Sequence, residues 1–291
     1  MIRTIDASQA IPEIYTAAGF DYGKWEAYIN TLYQDSAHLF TDEVKQYLES
    51  GQYTFERDFL PILNAVPGNP NLPILRSHFS AVTEGLDQRA AACFGRAPDV
   101  DIVLYLGLCN AAGWVTRING GYVILLGVEK ILELGWHGLD ELYGLVYHEL
   151  GHVYQSQYGV LERESAVSAE NFVWQLFTEG IAMYFEQALT GNPRYYHQNK
   201  GGWLAWCEDH FQQLLSDFHA DLPTMTQFTQ RYFGDWCSYH GYGDTGYYLG
   251  ARFVRRLTET RSFDGLLSLE IKEVYDLYTE FVNLYLEPIR K

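Results

Sequence analysis

The sequence predicts an α+β fold in which helices precede and follow one short β region. Three observations lead there. Helical periodicity dominates the first hundred residues; two apolar, partly β-branched runs, DIVLYLGL (101–108) and GYVILLG (121–127), read as strands; and from Trp136 onward only helical periodicity is found. With 291 residues, 47% of them apolar and 20% charged, the chain is long and apolar enough to bury a substantial core.

The elements follow in order. Trp25, Tyr28, Ile29, Leu32 and Tyr33, then after a break Val44, Tyr47 and Leu48, recur at helical spacing over 21–50. PGNPNLP (67–73) is a loop, because three prolines and a glycine in seven residues cannot sustain a helix. Leu75, Phe79, Val82 and Leu86 continue the helical pattern until Gly95–Pro98. The two strand-like runs come next, with NAAGWVTRING between them. A helix over 140–157, an amphipathic one over 169–189 closed by Gly191, and a late one beginning near Tyr247 complete the pattern. This divides the chain into 1–135, helical plus β, and 136–291, helical. No proline-rich linker separates the two parts, so they are expected to pack together as one unit.

Charge and cysteine usage exclude several function classes. Lys and Arg number 20 against 37 Asp and Glu, a net charge of −17 spread over both parts. No basic stripe for nucleic acid remains, and an anionic membrane surface is disfavoured for the same reason. No apolar run approaches the roughly 18 residues of a membrane span. Asp6 and Glu13 interrupt the stretch where a signal peptide would be apolar, so the expected location is the cytoplasm. Cys93, Cys109, Cys207 and Cys237 have no CxxC spacing and are expected to be buried free thiols.

The chemistry concentrates in DELYGLVYHELGHVYQSQYG, which contains His148-Glu149-Leu150-Gly151-His152, an HExxH motif. On a helix, positions i and i+4 share a face, so both imidazoles can reach one zinc ion. Glu149, one step round, can serve as general base toward an attacking water. From Leu142 to Tyr154 the only ionisable side chains, tyrosines aside, are these three, which describes a helix buried on most sides. Two imidazoles and a carboxylate there need compensation, and a metal is the simplest one. Gly144 and Gly151 leave room for a second helix to approach. The metzincin extension would place a glycine and a third histidine where the chain has Gln155 and Tyr158.

Downstream, NFVWQLFTEGIAMYFEQALTG (171–191) carries Glu179. HExxH followed by a helix with an EGxAxY-type segment resembles the gluzincins, the thermolysin-like zinc metallopeptidases of the peptidase-MA-like clan. GYGDTGYYLGARFVRRL (241–257), with Tyr247, Gly250, Phe253, Val254 and Leu257, is similar to the YxxGxxFVxxL helix of bacterial predicted zinc-dependent proteases; together the likeness spans roughly residues 100–260. The resemblance implies a zincin-like fold, one Zn²⁺ per chain held by His148, His152 and Glu179, with Glu186 and then Glu170 as reserve ligands, and GYVILLG as the edge strand that receives a peptide substrate. Where many gluzincins carry an acid that orients a zinc histidine, this chain has Met183, which leaves Asp140, Glu186 or Asp244 for that role. Tyr247, or else Tyr248 or His240, is the candidate oxyanion donor. Arg252 has two readings, a partner for a substrate carboxylate or one half of a structural ion pair. The remaining histidines, including His197, lack ligand spacing and read as structural or exposed. The expected function is zinc-dependent hydrolysis of peptide bonds. The alternatives are a zinc hydrolase of a non-peptide amide or ester, and a zincin-type binding protein without turnover, against which the retained Glu149 argues.

Overall fold

The computed structural model describes residues 1–234 and 236–286 and is mixed α+β. Its two compact units are Met1–Glu149 and Leu150–Lys291.

The first unit opens with strand β1 (Ile2–Asp6), a 3₁₀ helix (Ala7–Ile14) and a small hairpin, β2 (Tyr15–Thr16) and β3 (Gly19–Phe20). Helices α1 (Tyr22–Leu32) and α2 (Ala37–Glu49), a π-helical turn (Phe55–Phe59), α3 (Leu60–Ala65), α4 (Leu72–Thr83) and α5 (Leu86–Phe94) follow. Strands β4 (Val100–Tyr105), β5 (Gly113–Ile118) and β6 (Gly121–Gly127) lead to α6 (Val128–Glu133) and α7 (Leu139–Tyr158). The unit boundary falls inside α7, which is one uninterrupted helix. The single helix read through Leu86 is two helices, because Gly85 at φ +66° ends one and starts the next.

The sheet order is β1-β4-β6-β5, with β1, β4 and β6 parallel and β5 antiparallel to β6. This corrects the expectation that GYVILLG is an edge strand. As β6 it is interior, paired on both sides, and five consecutive residues from Val123 to Gly127 are buried. An unbroken apolar run is what an interior strand requires. The edge is β5, GWVTRI, which is only partly buried. Asn119 (φ +52°) and Gly120 (φ +83°) form the two-residue turn that folds it onto β6, as an Asn-Gly pair favours. β1, IRTID, was not anticipated either; the N-terminal region contributes a strand as well as helices.

An aromatic core supports the sheet. Trp25 is fully buried, donates its indole N–H to the Leu106 carbonyl (2.9 Å) and meets Phe40 edge-on; Phe40 in turn contacts Tyr105 and Trp114. The loop after β4 is tied down by Glu129, a 1% exposed carboxylate that accepts the N–H groups of Gly107 (2.9 Å) and Cys109 (3.0 Å). At φ +64° Cys109 occupies a left-handed position there.

The second unit continues with α8 (Ser168–Thr190), α9 (Trp203–Asp209), α10 (Phe211–Asp221), α11 (Thr245–Thr258), α12 (Phe263–Leu266) and α13 (Ile271–Leu286). Among its described residues the only β pairing is an isolated bridge between Tyr239 and Tyr242. α8 is the unit's central helix. It was read as amphipathic, yet Val173 to Leu189 is buried on nearly every side, with Glu186 and Gln187 included. Gly191 at φ +65° closes it. α11 crosses α8 where Gly180 faces the Gly250 backbone and Gly250 faces the Leu176 carbonyl, and a Cβ at either position would collide with main chain. The glycines of the EGxA and YxxG segments therefore serve one helix crossing.

All four cysteines are free, but only Cys207 is fully buried and Cys93 is exposed on α5, so the expectation of buried thiols holds for one of them. Among the described residues, no helix is long and apolar enough to cross a membrane.

Candidate metal centre

Asp140 and Glu141 occupy the first turn of α7, where carboxylates favour the positive end of the helix dipole. The helix then presents His148 and His152 one turn apart on a single face. At Gly151 the absent side chain admits α8: a Cβ there would lie 2.8 Å from Ala182 Cα and 3.1 Å from Phe185 Cβ. This approach brings Glu179 to the histidine face, with Oε2 at 3.3 Å from His152 Nε2. One donor atom from each of His148, His152 and Glu179 lies within 4.8 Å of the others. His148 is 4% exposed, and the His152 and Glu179 side chains are 14% and 17% exposed, so the group is sheltered but reachable.

The donor set suits a metal. Two imidazoles and one carboxylate are the ligand types of a catalytic zinc site, and tetrahedral bonds of about 2.0–2.1 Å put neighbouring ligand atoms about 3.3 Å apart. The His152–Glu179 separation has that value. Glu149 lies beside this set on α7. On its own side it packs against the start of the edge strand, where a Cβ on Gly113 would meet Glu149 Cγ at 3.2 Å.

A second group adjoins the first. Glu186, two turns after Glu179 on α8, is fully buried. One of its oxygens accepts the backbone N–H of His197 (3.3 Å) and the other lies 3.0 Å from His197 Nδ1. The Gln198 amide nitrogen sits 2.9 Å from His197 Nε2, an arrangement that leaves Nδ1 as the ring's donor to Glu186. Donor atoms of His148, Glu186 and His197 also lie within 4.8 Å of one another. His197 was grouped with the structural or exposed histidines; its side chain is instead 7% exposed and belongs to this cluster. No ligand spacing marks it, since the chain returns to Glu186 only after the turn at Gly191.

No family model, curated protein or solved structure matches this chain. The side-chain geometry therefore carries the functional argument.

The other candidates sort by their contacts. Glu170, in the first turn of α8, accepts the Ser165 hydroxyl and so caps the loop that enters the helix. Asp244, left-handed at φ +53°, accepts the Gly234 N–H at 2.8 Å just before α11. Met183 is buried, with its sulfur 4.0 Å from the Gln198 amide. Tyr247 is half-buried, between the rings of Phe233 and His197. Tyr248 is 1% exposed among Tyr196, Trp203 and Phe211, and burial raises its phenol pKa. Its position is that of a packing residue. His240 is exposed and lies against Trp206 and Tyr239. Tyr247 is thus the one of the three whose ring touches the His197 cluster.

Proposed function

We propose that this chain is a zinc-dependent metallopeptidase of gluzincin type, with one zinc per chain. The observation that carries the proposal is the convergence of His148, His152 and Glu179 within 4.8 Å, with Glu149 between the two histidines in sequence. In this reading the zincin-like resemblance names the fold, and His148, His152 and Glu179 hold the ion. The ion, when bound, supplies Lewis-acid polarisation of the scissile carbonyl and a water of lowered pKa. Glu149 removes a proton from the attacking water and returns it to the leaving amine. Tyr247 donates a hydrogen bond to the oxyanion as charge develops.

Glu186 takes the role that Met183 leaves open. Both of its oxygens are engaged by His197 and a donor atom of His148 lies within 4.8 Å, which fits a carboxylate that orients neighbouring histidines better than one that ligates. The substrate is an extended peptide laid along β5. That strand has a neighbour on one side only among the described residues, and its first residue, Gly113, lies where an added Cβ would meet Glu149.

Metal analysis with X-ray absorption, combined with digestion of a broad peptide library, tests the reading. One zinc per chain with nitrogen and oxygen neighbours is expected, together with peptide cleavage that falls at least ~10²-fold in Glu149→Gln while zinc is retained. Sulfur in the coordination shell, or full cleavage by zinc-loaded Glu149→Gln, would overturn it. Zinc without cleavage of any peptide would favour hydrolysis of another amide or ester.

A further inference from the structure

The second unit carries a basic cavity that the proposed hydrolysis does not use. The chain has 37 acidic and 20 basic residues, yet four arginines (194, 252, 255 and 256) line one cavity of about 270 Å³. Among the described residues Glu208 and Glu259 are its only carboxylates, so the described lining carries a charge of +2. Three of the arginines are held by carboxylate, amide or carbonyl oxygens. Arg194 pairs with Glu208 at 2.7 Å, Arg256 pairs with Glu259, and Arg255 donates to the Gln187 side chain and to the Pro193 carbonyl at 2.7 Å.

Arg252 differs. Its guanidinium carbon stands 4.4 Å from the Phe211 ring centroid and 5.8 Å from that of Tyr248, and Nη1 donates to the Tyr248 hydroxyl at 3.0 Å. Among the described residues no carboxylate pairs with it; its polar partners are the hydroxyls of Tyr248 and Tyr285. Among the described residues, then, the structural ion pair weighed from the sequence is not found. A half-buried guanidinium stacked on aromatic rings is fixed in direction and partly stripped of water, at a cost that an incoming anion offsets. Its planar fork matches the two oxygens of a carboxylate or phosphate.

We propose that this cavity binds the oxyanion group, phosphate or carboxylate, of a small molecule, with Arg252 as its central ligand and Arg255 beside it. The proposal does not depend on the metal reading. Isothermal titration of the full chain at low salt with inorganic phosphate, phenyl phosphate and benzoylglycine tests it. One saturable site per chain is expected, weakening as salt is added. Binding by the two phosphates alone identifies a phosphate group, and binding by benzoylglycine alone a carboxylate. Arg252→Gln should weaken binding by about tenfold or more, and Arg252→Lys, which keeps the charge and the stem, by less. If Arg252→Gln fails to fold, Arg252→Lys decides, since loss of the fork must still lower affinity. His152→Ala, which disrupts the candidate metal centre, should bind the anion unchanged. The proposal falls if none of the three probes saturates by about 10 mM, if both Arg252 variants bind as the parent does, or if His152→Ala abolishes binding.

Discussion

Glu179 and Glu186 stand two turns apart on α8, and each meets a histidine, but the two contacts differ in kind. Glu179 presents one oxygen to His152 at 3.3 Å, whereas both oxygens of Glu186 are occupied by His197. If the proposed metal site is right, removing the first should empty it, and removing the second should only loosen it. Glu179→Ala is accordingly expected to weaken zinc binding by more than the ~10–100-fold typical of an outer partner, and Glu186→Gln to stay within that range. Competition against a chelator of known affinity measures both. A larger loss at Glu186 would move the ion to the His148, Glu186 and His197 group. At this scale the pairing of His148 with His152 was legible, because helical geometry turns a spacing of four into a shared face. Glu179 was reached only through its resemblance to a known segment. His197 was not legible, since it lies eleven residues beyond Glu186, past the end of a helix, where no periodicity links the two.

The elements were legible where their patterns were long. α7 and α8 stand close to their expected spans, while the amphipathic reading of α8 did not hold: beyond the inward face already expected for Glu179 and Glu186, Gln187 is buried too and accepts from Arg255. β5 was missed because GWVTRI is short and mixed in polarity, although the Asn119-Gly120 turn beside it was a usable hairpin signal. The α8–α11 crossing has a direct test in Gly180→Ala. Inside a helix, alanine alone would be worth about 1 kcal/mol of added stability. The Gly250 backbone leaves no room for a Cβ, so the variant should instead lose about 1–3 kcal/mol in urea denaturation. A gain in stability would mean that the two backbones are not in close contact.

For the whole molecule, the charge excess is less informative than one carboxylate that is hidden. Burial pushes the Glu129 carboxyl from its ordinary value near 4.5 up to about 6, even though the backbone N–H groups of Glu129 itself, Gly107 and Cys109 hold its ionised form. A raised carboxyl favours the folded state while it is protonated. Its contribution is complete below pH 4.5 and is lost as pH rises through about 6, a change of about 2 kcal/mol. Stability curves for the parent and Glu129→Gln should therefore shift relative to each other by about that amount between pH 4 and 7, with the parent losing ground as pH rises. A constant difference would show that Glu129 titrates normally. The α+β composition was legible at this scale, but the pairing of β1 with β4 was not, because IRTID is too short and too polar to announce a partner.

That pairing also has a consequence in time. Ile2 aligns with Val100, so the first strand of the sheet must wait for about a hundred more residues before its neighbour exists. At ribosomal speeds of about 5–20 residues per second, the delay is several seconds or more. During that interval α1 to α5 can form from local contacts, but the sheet cannot begin. Once β4 has emerged, its VDIVLY edge is an open strand edge until β1, made about a hundred residues earlier, pairs with it. Closing the sheet therefore cannot precede the emergence of β4, and it joins segments made about a hundred residues apart.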